Sequence, residues 1–436
     1  MARARGQPMT AALLRRFSER QLLAAIIALA LLARLPFALA PSHDSVDLDA
    51  FARWVRLIQT RDLTTIYDGT RIDYPPLSIY LFAALGWLES QLPDAWRAGD
   101  GALRVLLKFP SIIGDLLTVG VIALALRGHS ARTRTGACAL YAFNPAIVYV
   151  TAYWAQLDAL YTLFLVGAVV LLARNRVAWA WLAFTLALAI KLQSLALAPL
   201  LIIATWRRHG ARSLFVGISI SVMAGALIAL PWLRAGRLGD LASAITTVVP
   251  RVDDSAYNFW YLLLRGRVHD FSSELHPLSL PWSYKAIGSG LFVAFAALVG
   301  VLLWRRRASA LAVAAALLNM GLFMFLTEVH ERYLFPTIAF ALLAAVGWDE
   351  PHANTLQRAR WLMFALLTLT FLFNLMSIAS PAPSLWTNVV ATQPPYTTLI
   401  LILKGLALVV AAINCVVFVG LMVELMRADQ GAGRMR

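Results

Sequence analysis

The segment HDSVDLDAFARW, residues 43–54, places three aspartates within six residues, directly after an apolar run that ends LPFALAPS. Helical spacing puts Asp47 and Trp54 on one face of a helix and Asp49 on another. Capping of the helix start would explain Asp44 or Asp49, because a carboxylate there satisfies free N–H groups and the helix dipole. One cap is sufficient, however, and Asp47 lies inside the amphipathic pattern. The cluster therefore indicates a function beyond capping.

The rest of the sequence is typical of an integral membrane protein. Of the 436 residues, 60% are hydrophobic and 14% are charged, and the mean hydropathy is +0.71. Soluble domains are about 45 to 50% apolar and about 25% charged. Most of the chain is divided into apolar runs near the roughly 20 residues needed to cross a hydrocarbon core about 30 Å thick. The expected fold class is an all-α polytopic membrane protein.

Several function classes have no support in the sequence. The net charge is +15, but the basic residues stand in small clusters at the ends of apolar runs, so no nucleic-acid partner is expected. The two cysteines, Cys138 and Cys415, are far apart and support neither a disulfide framework nor a cysteine metal site. Motifs of ATPases, zinc hydrolases and serine hydrolases are missing. No cofactor is expected.

The arginine clusters predict the orientation of the chain. Residues 1–40 could be a signal peptide, but the apolar run from Leu22 to Ala40 exceeds an h-region of about 7 to 15 residues, so we expect an uncleaved first helix. With the N-terminus in the cytoplasm, this helix brings the aspartates to the external face. The run Pro75 to Leu92 would break the positive-inside pattern if it crossed the bilayer, so we expect it to lie at the interface. About twelve spanning helices follow, with both termini cytoplasmic.

Other polar residues fall at the predicted external ends of the helices. Asp158 and Lys191 lie at the edges of apolar helices, and an ionisable group costs about 2.5 to 3.5 kcal/mol at the bilayer centre. Snorkelling is an alternative for Lys191, whereas Asp158 needs a polar cavity or a cationic partner. The run 330–332, His-Glu-Arg, is either functional or an ordinary ion-paired loop. Arg34 is expected to snorkel, and the arginine-containing loop of about residues 234–284 would suit an anionic ligand.

Four motifs together resemble the GT-C glycosyltransferases, multispanning enzymes that use polyprenyl-phosphate sugars. DLDAFARW at 47–54 is of the Asp-x-x-Ala-x-x-x-Trp type, and DYPPL at 73–77 is close to an element of the glucosyltransferases of asparagine-linked glycosylation. NP at 144–145 and WAQLD at 154–158 are similar to the NP and WGQxD pattern of bacterial proteins related to the GPI mannosyltransferases. Lys191-x-Gln193 with Pro199, and HERY at 330–333, complete the match, which runs from about residue 20 to 347.

This resemblance implies a GT-C fold with a catalytic transmembrane module over residues 1–347 and variable helices over residues 348–436. Juxtamembrane helices are expected in the first external loop, residues 41–102. The implied activity is inverting transfer of a hexose, mannose or glucose, from a polyprenyl-phosphate donor to a hydroxyl of a glycan, lipid or protein acceptor. The site would face the periplasm or exterior of the cytoplasmic (inner) membrane. A lipid-linked sugar flippase is the alternative, although the sequence shows no internal repeat.

The resemblance assigns the general base to Asp47, which aligns with the family aspartate seven residues before the tryptophan. The substrate-binding candidates are Asp49, Tyr74, Asp158, Lys191, Gln193, His330, Glu331 and Arg332. Lys191, His330 and Arg332 would contact the phosphate, with Arg332 suited to bidentate contact and Lys191 acting as a compact charge. Asp158 would orient the sugar or hold one of those cations.

Two alternatives stay open at this level. Tyr74 and Trp54 would either stack on a sugar face or anchor the juxtamembrane helices at the interface. A divalent ion held by Asp44, Asp47 and Asp49 is a competing mechanism, because some distant relatives use one and oxygen ligands suit Mg²⁺ or Mn²⁺. We expect no metal, since the motifs with the greatest similarity belong to metal-independent members.

Overall fold

The computed structural model describes residues 18–40, 46–97, 99–246, 250–252, 256–305, 310–349, 357–378 and 394–432, and this part of the chain is helical without any strand. The longer helices are α1 (Glu19–Leu39), α2 (Val46–Thr60), α3 (Pro76–Ser90), α4 (Gly101–Ala125), α5 (Ala131–Ala142), α6 (Asp158–Ala173), α7 (Val177–Ile190), α8 (Ala198–Ile228), α9 (Tyr284–Arg305), α10 (Leu311–Phe325), α11 (Phe335–Val346), α12 (Gln357–Ile378) and α13 (Pro394–Ala432). The short α-helices are Asp94–Arg97, Pro145–Val148, Leu230–Arg234, Leu238–Thr246 and Phe259–Leu263. The 3₁₀ turns are Leu63–Thr65, Leu126–Gly128, Leu192–Leu197, Val268–Asp270, Pro277–Ser279 and Glu331–Leu334, and Tyr149–Tyr153 forms a π turn.

Local sequence signals explain where several helices begin and break. Ser18 and Gln21 form a capping box at the start of α1. Pro76 begins α3 at a position where a missing N–H costs nothing. Gly210 interrupts α8 with φ +83° and ψ 171°, a conformation that favours glycine. This kink falls in the arginine-rich break between residues 207 and 212, where the sequence predicts the end of a span.

Membrane integration follows from helix length and composition. Within the described residues, six helical stretches are long and apolar enough to cross a membrane, namely Glu19–Leu39, Gly101–Gly128, Leu192–Ile228, Tyr284–Arg305, Gln357–Ser377 and Gly405–Arg427. The chain is therefore an integral membrane protein, as predicted. Helices α6, α7 and α10 have 16, 14 and 15 residues. At 1.5 Å per residue these helices are shorter than a hydrocarbon core about 30 Å thick. The count of about twelve spans stays a prediction.

Two helices that are apolar except for Asn319 and Thr337 form the centre of the molecule. In α10 every residue from Leu311 to Met324 is buried, and in α11 every residue is buried. A helix that is hydrophobic on all sides belongs in a protein interior. The connection between these two helices carries residues 330–333, so the packed core places that segment. Helices α12 and α13 pack against the same core, and the domain division at residue 347 stays a prediction.

The loop over residues 41–102 contains the two predicted helices, α2 and α3, packed on one another. A bidentate ion pair joins α2 to α3, with Arg56 Nη1 2.5 Å and Nη2 2.6 Å from the Glu89 carboxylate oxygens. Such bidentate pairs fix orientation as well as contributing energy. The helices are confirmed, whereas their position at the membrane interface stays a prediction. Asp44, with its capping alternative, lies outside the described residues.

The prediction that Arg34 snorkels is wrong. Its side chain is fully buried, and Nε lies 2.7 Å from Asp115 Oδ2 of α4. Nη1 donates to the carbonyl of Ala30 at 2.8 Å, and Nη2 donates to the carbonyl of Ala142 at 2.7 Å. A buried guanidinium needs both a counter-charge and partners for its remaining donors. Arg34 therefore joins α1, α4 and α5 inside the protein rather than reaching an interface.

Candidate active site

The carboxylate of Asp47 is held by two donors from a distant segment. Its Oδ2 accepts hydrogen bonds from Trp154 Nε1 at 3.0 Å and Gln156 Nε2 at 2.6 Å. Arg332 Nη1 lies 3.7 Å from the same oxygen. The side chain is 30% exposed, and Oδ1 has no partner among the described residues. One oxygen is thus fixed in place while the other can accept a proton or a hydrogen bond.

An unusual backbone brings Trp154 and Gln156 to one oxygen. The π turn over Tyr149–Tyr153 leads into this segment, and Ala155 has φ +66°. The left-handed conformation costs a residue with a Cβ roughly 1 to 2 kcal/mol. Such local strain and π turns are found at functional sites. The WGQxD pattern that this motif resembles has glycine where this chain has Ala155.

Of the two alternatives stated for Asp158, a polar cavity or a cationic partner, the structure shows the cationic partner. Lys191 Nζ lies 2.8 Å from Asp158 Oδ2, and both side chains are buried. Asp158 begins α6 and Lys191 directly follows α7, so the pair forms where these antiparallel helices meet. The ammonium also lies 5.3 Å from the centre of the Tyr74 ring. The snorkelling alternative for Lys191 is wrong, because its charge is held inside the protein.

Arg332 connects its own turn to Asp47. Its Nη1 lies 3.2 Å from Glu331 Oε1, which agrees with local ion pairing, but it also approaches Asp47 and its guanidinium lies 5.8 Å from the centre of the Trp154 ring. Its Nε is buried and has no hydrogen-bond partner in the described part of the chain. The ordinary-loop alternative therefore accounts for only one of these contacts. Arg332 retains donor capacity for an anion.

The neighbours of Arg332 have shifted protonation. Burial raises the pKa of the Glu331 carboxyl to about 7, although the positive charge of Arg332 opposes the shift. Burial and the charges of Arg332 and Lys191 lower the pKa of His330 well below its ordinary value. The imidazole is therefore neutral at physiological pH. The role of His330 as a phosphate contact stays a prediction.

The structure places the remaining predicted residues in three different settings. The Tyr74 hydroxyl donates to Gln156 Oε1 at 3.1 Å. Gln193 lies within hydrogen-bonding reach of the Tyr333 hydroxyl, and its own Oε1 is buried without a partner among the described residues. Asp49 forms an ion pair with Arg104 of α4 and is not brought together with the others.

The rings of Trp54 and Tyr74 are buried and pack against each other, with centroids 5.4 Å apart. Phe51 and Phe82 complete this aromatic cluster. This burial disfavours stacking on a sugar, whereas the anchoring of the juxtamembrane helices at the interface stays a prediction. Their packing instead supports the helix that carries Asp47.

The arginines of the loop over residues 234–284 were expected to serve an anionic ligand. Arg237 instead pairs with Asp68 of the first loop and lies 3.7 Å from Asp240 Oδ2. Its charge is thereby used to join two loops. The described contacts of Arg237 do not include the group around Asp47.

The sequence did not predict a role for three residues that lie near Asp47. Trp154 and Gln156 stand in a quoted motif, yet nothing in their spacing shows that they would hold Asp47. Asp73, the first residue of DYPPL, lies close enough to Arg332, Lys191 and Asp47 to interact with them electrostatically. Its position in the DYPPL motif was the sequence signal that could have indicated this.

A protein-family model matches one segment of the chain. The model of the family described as ALG3 protein matches residues 148–246. This segment contains the π turn, Trp154, Gln156 and the Asp158–Lys191 pair, but not Asp47. The resemblance to the GT-C glycosyltransferases is confirmed.

Two solved structures are similar to this chain. One is ArnT from Cupriavidus metallidurans in the apo state, with 16% identity, 93% of this chain and 76% of that chain covered, and a TM-score of 0.49. The other is ArnT from the same organism bound to undecaprenyl phosphate, with 14% identity, 93% and 77% coverage, and a TM-score of 0.46. No curated protein sequence matches the chain.

Proposed function

We propose that this protein is an inverting glycosyltransferase that moves a hexose from a polyprenyl-phosphate donor to an acceptor hydroxyl on the external face of the inner membrane. The observation that carries the proposal is the position of Asp47. Oδ2 is fixed by Trp154 and Gln156, and Arg332 Nη1 lies 3.7 Å from this oxygen. Oδ1 has no partner in the described part of the chain. A base and a cation thus stand side by side, as transfer from a phosphate leaving group requires.

The reaction is a single displacement. The acceptor hydroxyl oxygen forms a bond to the anomeric carbon while the bond from that carbon to the phosphate oxygen breaks. Oδ1 of Asp47 takes the hydroxyl proton, and polyprenyl phosphate leaves with the electron pair. Because the phosphate leaves as an anion, the donor side needs cations rather than a proton. This is half of the two-carboxylate arrangement of inverting glycosidases.

Arg332 is the proposed main phosphate contact. Its guanidinium presents donors in a plane that matches two phosphate oxygens, and its buried Nε has no partner among the described residues. Lys191 contributes a second positive charge, held in place by Asp158 at 2.8 Å. His330 would act as a neutral hydrogen-bonding group. Glu331 and Asp158 would set the positions of Arg332 and Lys191 respectively.

The proposal does not require a metal ion. Asp47 accepts hydrogen bonds from Trp154 and Gln156, whereas Asp49 forms an ion pair with Arg104. These two carboxylates therefore do not converge on one ion. Transfer in purified membranes is expected to continue after treatment with EDTA. Loss of transfer that added Mg²⁺ or Mn²⁺ restores would contradict the metal-independent mechanism.

The decisive experiment is a membrane assay with polyprenyl-phosphate mannose and polyprenyl-phosphate glucose as donors and total lipid as acceptor. Asp47→Asn is expected to lower transfer by roughly 10² to 10⁴-fold, because general-base catalysis contributes that much, while donor binding is retained. Asp94→Asn, an exposed aspartate of the same loop, is the matched control and should keep full activity. Full transfer by Asp47→Asn would overturn the assignment of the base. A flippase would move the donor across the bilayer without forming product.

A further inference from the structure

A cavity lined by three arginines lies at the other end of the bundle from Asp47. It has a volume of about 590 Å³. The lining residues are Glu19, Arg20 and Leu23 of α1, Ala123 and Leu124 of α4, and the arginines Arg127 and Arg134.

The length of α4 places this cavity across the membrane from the candidate active site. Near the start of α4, Arg104 pairs with Asp49, two residues from Asp47. Near its end, Leu124 lines the cavity. Twenty residues separate Arg104 from Leu124, which corresponds to about 30 Å of helix, close to the thickness of the hydrocarbon core. The two sites therefore lie at opposite membrane surfaces.

The cavity carries an excess of positive charge. Its lining contains three arginines and one acid, Glu19, which pairs with Arg134. In the part of the chain that the structure describes, neither Arg20 nor Arg127 forms an ion pair. Arg134 is only 17% exposed, and its Nε is buried without a hydrogen-bond partner in these residues. The lining thus presents unused donors and a net charge of +2, counted as three arginines minus one glutamate.

The positive-inside rule explains why arginines collect at this membrane surface, but it explains neither a cavity nor a buried donor. Arg132 shows the difference, because it stands on the same face with an exposed side chain and does not line the cavity. Leu23, Ala123 and Leu124 add an apolar wall beside the charges. A ligand with an anionic head and an apolar body matches both parts.

We propose that this cavity binds the phosphate headgroup of an anionic phospholipid in the leaflet opposite the candidate active site. Arginine forms strong charge-assisted hydrogen bonds to phosphate, and basic pockets between spanning helices bind anionic headgroups. The headgroup phosphate meets Arg20, Arg127 and the free Nε of Arg134. The glycerol and the upper acyl chain lie along Leu23 and Leu124.

The test uses the full-length protein in nanodiscs of phosphatidylcholine with and without phosphatidylglycerol, with retained lipid measured by native mass spectrometry. The wild type should retain phosphatidylglycerol in preference to phosphatidylcholine. Arg20→Gln/Arg127→Gln should weaken this retention roughly 30-fold, since each arginine near an anionic surface contributes a factor of about five. Arg20→Lys/Arg127→Lys keeps the charge and should retain most of the binding.

Arg132→Gln is the matched control and should behave as the wild type. Equal retention of both lipids by the wild type, or an equal loss in Arg132→Gln, would overturn the proposal in favour of diffuse surface charge. Displacement of phosphatidylglycerol by inorganic phosphate alone would identify a soluble anion as the ligand and overturn the lipid assignment. Melting temperatures in phosphatidylcholine discs check that each variant is folded. Lipid retention is measured without sugar transfer, so this proposal and the proposed function are tested separately.

Discussion

The buried ion pair between Arg34 and Asp115 yields a quantitative prediction about the protein's stability. Both side chains are completely buried. Asp115 also lies 3.5 Å from Thr151 Oγ1, in the π turn that leads to Trp154. Replacing Arg34 by methionine keeps an unbranched apolar side chain of similar shape but leaves Asp115 without a counter-charge. It also removes the donor to the carbonyl of Ala142.

The expected magnitude follows from that burial. Removing one partner of a buried pair costs about 3 to 5 kcal/mol, because the other charge stays buried and uncompensated. Asp115→Leu leaves Arg34 in the same situation and should cost a similar amount. The double variant Arg34→Met/Asp115→Leu removes both charges, so it should be more stable than either single variant. Replacing a whole buried pair by apolar residues is often neutral.

The measurement is reversible unfolding of the full chain in detergent, with the three variants and the wild type compared in a double-mutant cycle. An exposed pair in the first loop, Arg97 with Asp94, provides the control, because exposed pairs contribute only about 0 to 1 kcal/mol. Additive losses in the double variant, or single losses below about 1 kcal/mol, would refute the reasoning that an uncompensated buried charge sets the cost.

Three further predictions concern the candidate site. Trp154→Phe removes the indole donor to Asp47 and should lower kcat/KM for sugar transfer about 10 to 100-fold, since a hydrogen bond to a charged group contributes about 1.5 to 3 kcal/mol; unchanged transfer would show that this bond does not position the base. Ala155→Gly relieves the positive φ and should leave thermal stability within about 1 kcal/mol of the wild type, whereas the β-branched Ala155→Val should lower it clearly. In the folded protein the pKa of the Glu331 carboxyl is raised to about 7 from its ordinary value of 4.5, so the folded state binds the proton more tightly than the unfolded state. The free energy of unfolding should therefore fall by about 3 kcal/mol in total as the pH rises between these two values. Glu331→Gln should abolish this part of the pH dependence in unfolding experiments.

Much of the architecture is readable from local sequence. Hydropathy alone predicts the polytopic helical class, because each apolar run must satisfy its own backbone hydrogen bonds in a membrane. The period of helix α2 separates Asp47 from Asp49, and the structure shows these two side chains with different partners. The short side chain of Asp158 cannot reach water from an apolar helix. The sequence therefore predicted either a polar cavity or a cationic partner for Asp158, and the structure shows Lys191 at 2.8 Å.

Other features depend on partners that are distant in sequence, and these were decided by the tertiary structure. Arg34 near a helix end is indistinguishable from a snorkelling anchor until Asp115, 81 residues away, is seen beside it. The position of the Asp47 carboxylate depends on hydrogen bonds from Trp154 and Gln156, which are 107 and 109 residues away. The lowered pKa of His330 depends on its burial and on the convergence of Arg332 and Lys191.

The sequence by itself thus determined the helical membrane class and the set of ionisable residues available for chemistry. The tertiary structure decided which of those residues are paired, buried or free to act. The physical reason is that hydrophobic periodicity is a local property of the chain. The energy of a buried charge, in contrast, depends on every group within a few ångströms, whatever its position in the sequence.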